Sequence, residues 1–175
     1  MKAAILCTNG LEECEALVTY DLLFRANIEV YLIGLDNNIL SAHNLQFKPH
    51  LLLADFNYQD FDCLILPGGM PGTKNLEANQ KVSEIIDYFY SNDKYIAAIC
   101  AAPSILNHKN LLKNEKFVCY PGFEEGLTSA NAKAFVDNKI ITAKGLGAAF
   151  EFTYEIIKVL VNEDKAKKVL NSIQY

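Results

Sequence analysis

Four short, almost wholly apolar runs, Lys2–Cys7, 28–33, 62–66 and Tyr95–Ile99, are separated by stretches of helical periodicity. A strand that is apolar on both faces has to be covered on both, and a parallel sheet flanked by helices is the architecture that does so. The intervening stretches supply that cover. In Glu13–Arg25 the residues Cys14, Leu17, Val18, Asp21, Leu22 and Arg25 recur at near-helical spacing. In residues 81–90, Val82, Ile85, Ile86 and Phe89 fall at i, i+3, i+4 and i+7, which puts them on one face. Residues 148–161 and 164–173 carry two further helical patterns. The pattern predicts an α/β fold: a doubly wound three-layer sandwich around a mostly parallel central sheet, with residues 1–175 forming one domain.

The remaining segments are expected to decorate that sheet. Residues 36–54 read as a small hairpin excursion, with Asn37-Asn38 as its turn and 51–53 as its last strand. Residues 116–119 read as a further strand, broken by Pro121-Gly122. Asp137-Asn138 turns a hairpin into a strand over 139–143. In doubly wound sheets, sites lie outside the carboxyl ends of the strands. Four loops qualify, at 8–13, 67–73, 100–103 and 144–148, and the topology would gather them along one edge.

Charge and composition narrow the partners. A net charge of −5 gives no bulk attraction to nucleic acid or to an anionic membrane. No stretch approaches the ~20 apolar residues of a membrane span. The opening "MKAAILCTNG" runs into the acidic "LEECE" without a cleavage-site pattern, so it reads as a first strand and not a secretion signal. The five cysteines, Cys7, Cys14, Cys63, Cys100 and Cys119, are odd in number, widely spaced and free of any C-x-x-C pair. That argues against a disulfide framework and a zinc site, and for a reducing, cytoplasmic setting. Cys7, Cys63 and Cys119 read as small buried hydrophobes, while Cys14, between Glu13 and Glu15, is left open.

Cys100 stands apart, at the point where the apolar run 95–99 gives way to Ala101-Ala102-Pro103 and a helical Ser104-Ile105-Leu106. A nucleophile on a sharp strand-to-helix turn is pushed out of the packed core, and small neighbours allow the tight backbone. The helix start behind it offers unsatisfied N–H groups, which favour a thiolate and a lowered pKa. On these residues alone two readings stay open: a thiol placed to react, or a small side chain that a tight turn requires. The loop "LPGGMPG" at 66–72 complements the first reading, because its glycines let backbone N–H groups approach a neighbouring site. "KGLGAAF" at 144–150 lacks the last glycine of a dinucleotide fingerprint and any G-K-[ST], so no nucleotide cofactor is expected. Tight packing between the last strand and its helix accounts for its glycines.

A base for the thiol is harder to find. Only three histidines exist. His108 lies ~12 Å along any shared helix from Cys100, and His43 and His50 belong to the surface excursion. An acid can replace the imidazole if burial keeps it protonated, so that it donates to sulfur and stabilises the thiolate. "EECE", Glu12 to Glu15, begins the first helix at the correct edge. Glu12 and Glu13 read as ordinary acids compensating a helix dipole.

These residues resemble the DJ-one/ThiJ/PfpI superfamily, in particular its DJ-one/ThiJ branch, over essentially the whole chain. The resemblance rests on "NGLEECEA" at 9–16, "DLLFRA" at 21–26, "LPGG" at 66–69, "AAICAAP" at 97–103 and "KGLGAAFEF" at 144–152, in that order. It implies a flavodoxin-like sandwich and a homodimer, for which the first helix, with Leu17, Tyr20 and Phe24, offers a contact face or else simple core packing. It implies Cys100 as the elbow nucleophile, Glu15 as the acid bonded to it, and Gly69 and Ala101 as backbone donors near the sulfur. Gly68, Met70, Tyr120 and Leu146 would line the pocket, Met70 and Leu146 making its mouth more apolar. No metal or other cofactor is implied. One departure stands out: relatives with glyoxalase activity place a histidine before the proline that is here Pro121, and this chain has Tyr120.

The implied function is cysteine-dependent protection against reactive carbonyls, a glyoxalase III- or deglycase-like conversion of small 2-oxoaldehydes or their adducts. The alternative is a redox-sensing or chaperone-type stress protein in which an oxidant acts on the same cysteine, without turnover. Protease activity, known for some members, lacks its histidine here.

Overall fold

The computed structural model describes residues 1–112, 117–124, 126 and 130–175. Strands β1 (Lys2–Cys7), β2 (Glu29–Gly34), β5 (Leu51–Leu52), β6 (Cys63–Leu66), β7 (Tyr95–Ile99), β8 (Ala134–Asp137) and β9 (Ile140–Ala143) form one sheet in the order β5-β2-β1-β6-β7-β9-β8. All neighbours are parallel except β8 and β9, which pair antiparallel around the Asp137-Asn138 turn. The chain leaves β1 in one direction to build β2 and then returns past β1 to build β6. That reversal is the switch point of a flavodoxin-like order, and it opens a crevice at the carboxyl ends of the strands.

The alternation of side chains along each strand explains the three layers. In β1, Ala3, Ile5 and Cys7 point to one face, where helices α1 (Glu13–Arg25), α5 (Ala149–Leu160) and α6 (Glu163–Ser172) pack with Leu22, Leu23, Phe152, Ile156 and Ile157. Ala4 and Leu6 point to the other face. There α3 (Gln80–Ser91) and α4 (Pro103–His108) pack, with Val82, Ile85, Ile86, Phe89, Ile105 and Leu106. Each of these fully buried large side chains contributes about 1.5–3 kcal/mol through removal from water.

The expected strands and helices hold to within a residue or two, with four differences. The small hairpin consists of β3 (Ile39–Leu40) and β4 (Gln46–Phe47). It turns at Ser41–Asn44, where Ser41 receives the Asn44 N–H at 3.2 Å, so Asn37-Asn38 precedes the hairpin. Leu51–Leu52 is not a hairpin strand but the edge of the main sheet, parallel to β2, and Leu53 already begins a 3-10 turn. A helix absent from the sequence reading, α2 (Gly72–Ala78), follows the glycine loop, where glycine and proline punctuate its start. Of the proposed strand at 116–119, residue 116 lies outside the described residues; Phe117 makes an isolated bridge, and Val118 and Cys119 are buried without entering a strand.

Candidate active site

The four loops meet at the crevice. Gly72 N–H donates to Gly10 O at 3.0 Å and Glu12 N–H donates to Gly68 O at 3.0 Å, which locks the loop after β6 against the loop after β1. Cys100 follows β7 directly. Its φ of +66° is the left-handed region, unusual for a residue with a Cβ and costing on the order of 1–3 kcal/mol. Two backbone bonds hold this bend: Cys100 N–H donates to Ala143 O at 2.9 Å, and Tyr120 N–H donates to Cys100 O at 2.8 Å. The elbow is therefore clamped from the end of β9 and from the segment at Tyr120, both distant in sequence.

Glu15 sits on the first turn of α1 and is only 1% exposed. Its Oε2 receives the Gly68 N–H at 2.8 Å. Its carboxyl also receives the Leu146 N–H and lies in hydrogen-bond contact with the Cys100 thiol. Leu146 was expected only to line the pocket; its main-chain N–H adds a donor that no side-chain pattern encodes. Gly68 is required by close approach. A Cβ there would lie 2.5 Å from the Cys100 Cβ and 2.9 Å from the Glu15 Oε2. Gly69 has φ +88°, and a Cβ on it would meet the Glu12 nitrogen at 2.2 Å. Its N–H and that of Ala101 reach the sulfur.

Burial is the main cause that pushes the Glu15 carboxyl up to about 7, against the pull of its N–H donors. Burial, and then the Glu15 carboxylate, push the Cys100 thiol up to about 12, opposed by the Gly69 and Ala101 N–H groups. The lowered thiol pKa expected from a helix start is thus overridden: α4 has six residues, and desolvation outweighs what its end supplies. The carboxyl and thiol titrate as a pair. With the carboxyl raised to about 7 and the thiol to about 12, the pair gives up its first proton well before its second.

Of the residues expected to line the pocket, Met70, Tyr120 and Leu146 are 41%, 52% and 47% exposed. The glycines at 145 and 147 do not pack strand against helix. A Cβ on Gly145 would stand 3.6 Å from the Cys100 Sγ and 3.4 Å from the Tyr120 ring, and one on Gly147 would meet nothing within 4 Å. The histidines are engaged elsewhere. His43 pairs with Glu13 at 3.1 Å and Glu12 at 3.6 Å, His50 accepts the Leu32 N–H at 2.9 Å, and His108 pairs with Glu77. Glu12 and Glu13 are thus half-buried partners of His43 and not simple surface charges; these three groups bring ligand-type atoms within 4.8 Å of one another. Of the other thiols, Cys7, Cys63 and Cys119 are buried. Cys14 is exposed, its thiol held above the ordinary value by local burial and by the charges of Glu12, Glu13 and Glu15.

Comparison with known proteins finds relatives over most of the chain. Residues 1–159 match the DJ-1/PfpI family. The chain is 30% identical to a glutathione-independent glyoxalase of Caenorhabditis elegans, over 97% of this chain and 93% of that protein. It is 27% identical to a deglycase of Pyrococcus horikoshii, over 91% and 99%. It is also 30% identical to Protein DJ-1 homolog B of Arabidopsis thaliana, but spans only 40% of that longer protein. Among solved structures, oxidized DJ-1 of Toxoplasma gondii superposes with a TM-score of 0.95 at 30% identity, covering 99% of this chain and 98% of that one.

Proposed function

Because this chain belongs to the DJ-1/PfpI family, we propose that it converts small reactive carbonyl compounds, 2-oxoaldehydes or the adducts they form, through Cys100 and Glu15. The observation that carries this reading is the buried Glu15 carboxyl in contact with the Cys100 thiol, with the Gly69 and Ala101 N–H groups on the same sulfur. The names of the worm glyoxalase and the archaeal deglycase support the substrate class.

The reactive form of the pair is the one in which the shared proton sits on Glu15 and the sulfur is a thiolate. The thiolate adds to the aldehyde carbon, forming the C–S bond, and the carbonyl π electrons pass to oxygen. Nearby N–H groups steady that oxyanion, which takes the Glu15 proton. The ionised Glu15 then removes the C1 hydrogen as a proton and returns it at C2, while the proton on the C1 hydroxyl passes to the C2 oxygen. C1 is thereby oxidised to a thioester and C2 reduced to an alcohol, so no external oxidant or reductant is needed. Water cleaves the thioester, releasing a 2-hydroxy acid and the free thiol. Tyr120 stands where glyoxalase-active relatives carry histidine, so Glu15 performs both proton transfers.

Methylglyoxal consumption and lactate formation by the wild type and Cys100→Ala, with chelator and buffer controls, test the proposal. Activity that survives in Cys100→Ala would end it.

The same donors favour a second reading. Gly69, Ala101 and a protonated Glu15 surround the sulfur with N–H and O–H groups suited to sulfinate oxygens. Two equivalents of peroxide would take the thiolate to sulfinate with release of two waters, and the protein would act as a redox-responsive stress protein. The likeness to an oxidized DJ-1 structure supports it.

We further propose a homodimer in the cytoplasm. Phe24 on α1 is 64% exposed and stacks with Tyr20 at 6.4 Å, while Leu17 and Val18 line an apolar cavity with Phe150 and Ile173. A second copy would cover this face. Five free thiols suit a reducing compartment.

A further inference from the structure

A cavity of about 400 Å³ borders the thiol through Gly145, and most of its wall is apolar: Tyr120, Pro121, Leu146 and Ala148. This volume falls in the range that holds small organic ligands. The cavity shares two parts with the reacting pair. A Cβ placed on Gly145 would stand 3.6 Å from the Cys100 Sγ, and Leu146, whose N–H binds the Glu15 carboxyl, contributes an exposed leucine to the cavity wall. Tyr120 holds the elbow through its N–H while its exposed ring packs by Gly145. Exposed leucine and tyrosine side chains beside a nucleophile carry a hydration penalty that an apolar guest removes.

The cavity's charge is equally specific. Lys133 is neutralised by Glu151, which also accepts the Tyr175 hydroxyl. Lys144 has no side-chain partner among the described residues. Among the described residues of the cavity wall, Lys144 is then the one uncompensated charge, and a cation there disfavours a positively charged substituent.

We infer that this cavity is the subsite for the non-reacting end of the substrate and that it takes an aryl or branched alkyl group. The favoured substrates are aryl- and alkyl-substituted glyoxals, ahead of glyoxal, methylglyoxal or adducts with a cationic substituent. The substrate assignment rests on the carbonyl chemistry proposed above; the apolar preference of the cavity does not.

Two measurements separate them. The first is the labelling of Cys100 by N-phenylmaleimide and N-methylmaleimide, followed by peptide mapping and normalised to the same reagents on glutathione. Covering about 50 Å² of extra ring surface in so open a cavity is worth roughly a tenfold preference for phenyl. Gly147→Leu, which adds a side chain where a Cβ meets open space in the wild type, is expected to reduce that preference to about twofold or less. Leu146→Ser, which removes part of the wall, is expected to lower it in the same direction. Equal normalised rates for the two reagents, or a preference that both variants leave intact, would overturn the subsite. The second measurement is kcat/KM for phenylglyoxal against methylglyoxal. Turnover of both at equal efficiency overturns the substrate assignment while leaving carbonyl chemistry in place. A labelling preference without consumption of either aldehyde keeps the apolar cavity and removes both the assignment and the carbonyl chemistry.

Discussion

Below neutrality the Glu15–Cys100 pair holds two protons, and above about 7 it holds one. Where the remaining proton rests decides whether the sulfur can attack. Two N–H groups at the sulfur favour charge there, and two at the carboxyl favour charge on oxygen, so the geometry leaves the contest close. Substitution of Glu15 reports the outcome. Glutamine still donates to sulfur, whereas alanine donates nothing and aspartate lacks the reach. The Cys100 pKa, read from the pH dependence of iodoacetamide labelling, is expected to lie roughly one to two units higher in Glu15→Ala than in Glu15→Gln, which is what a hydrogen bond to a charged group of ~1.5–3 kcal/mol supplies. Glu15→Asp should also lie above Glu15→Gln. Turnover should behave differently, because an amide cannot shuttle a proton: Glu15→Gln is expected to keep a reactive thiol and lose catalysis. Unchanged thiol titration in all three variants would remove Glu15 from the site. Gly68 admits a sharper change. Gly68→Ala drives a methyl against both Cys100 and Glu15 and, on the proposed mechanism, should abolish turnover, with circular dichroism reporting whether the fold is retained.

At the level of elements, the strand–elbow–helix unit was legible because its signal is local: an apolar strand, one thiol, small residues and a proline stand in line. The Glu15 partnership came from the family resemblance, since a buried acid and a surface acid look alike at a helix start. What the sequence hid depends on non-local pairing. Leu51–Leu52 joins β2 through two residue pairs, too few to leave a periodic trace. Helix α2 buries only Gly72, Thr73 and Leu76, so it shows no recurring apolar face. Leu146 and Tyr120 act through main-chain N–H groups, to which residue identity is nearly silent. The corner between α2 and α3 gives a test of how separable these elements are. Asn79 ends α2 and caps α3, its Oδ1 receiving the Val82 N–H at 3.1 Å. Asn79→Ala should reduce stability by about 1 kcal/mol. Because α3 packs on the sheet face opposite α1, Cys100 labelling should not change; altered labelling would show that the two faces are coupled.

Across the whole molecule, the switch point between β1 and β6 ties stability to the site's chemistry. The crevice there brings Glu15 from one crossover beside Cys100 from another, and it buries the acid to 1% exposure. In the unfolded chain that carboxyl titrates near 4.5, and in the folded chain near 7. The folded state therefore binds the proton more tightly, and stability gained from the protonated acid is complete below 4.5 and is lost as pH rises through about 7. The swing is on the order of 3 kcal/mol. Glu15→Gln has no such titration. Urea unfolding of the wild type and Glu15→Gln, at one protein concentration so that any dimerisation contributes equally, should show the wild type losing ground to the variant between pH 5 and pH 8. Parallel pH profiles would mean that Glu15 enters the fold already ionised. A thiolate held by a neutral acid would then be ruled out, and with it the proton transfers on which the carbonyl reaction depends.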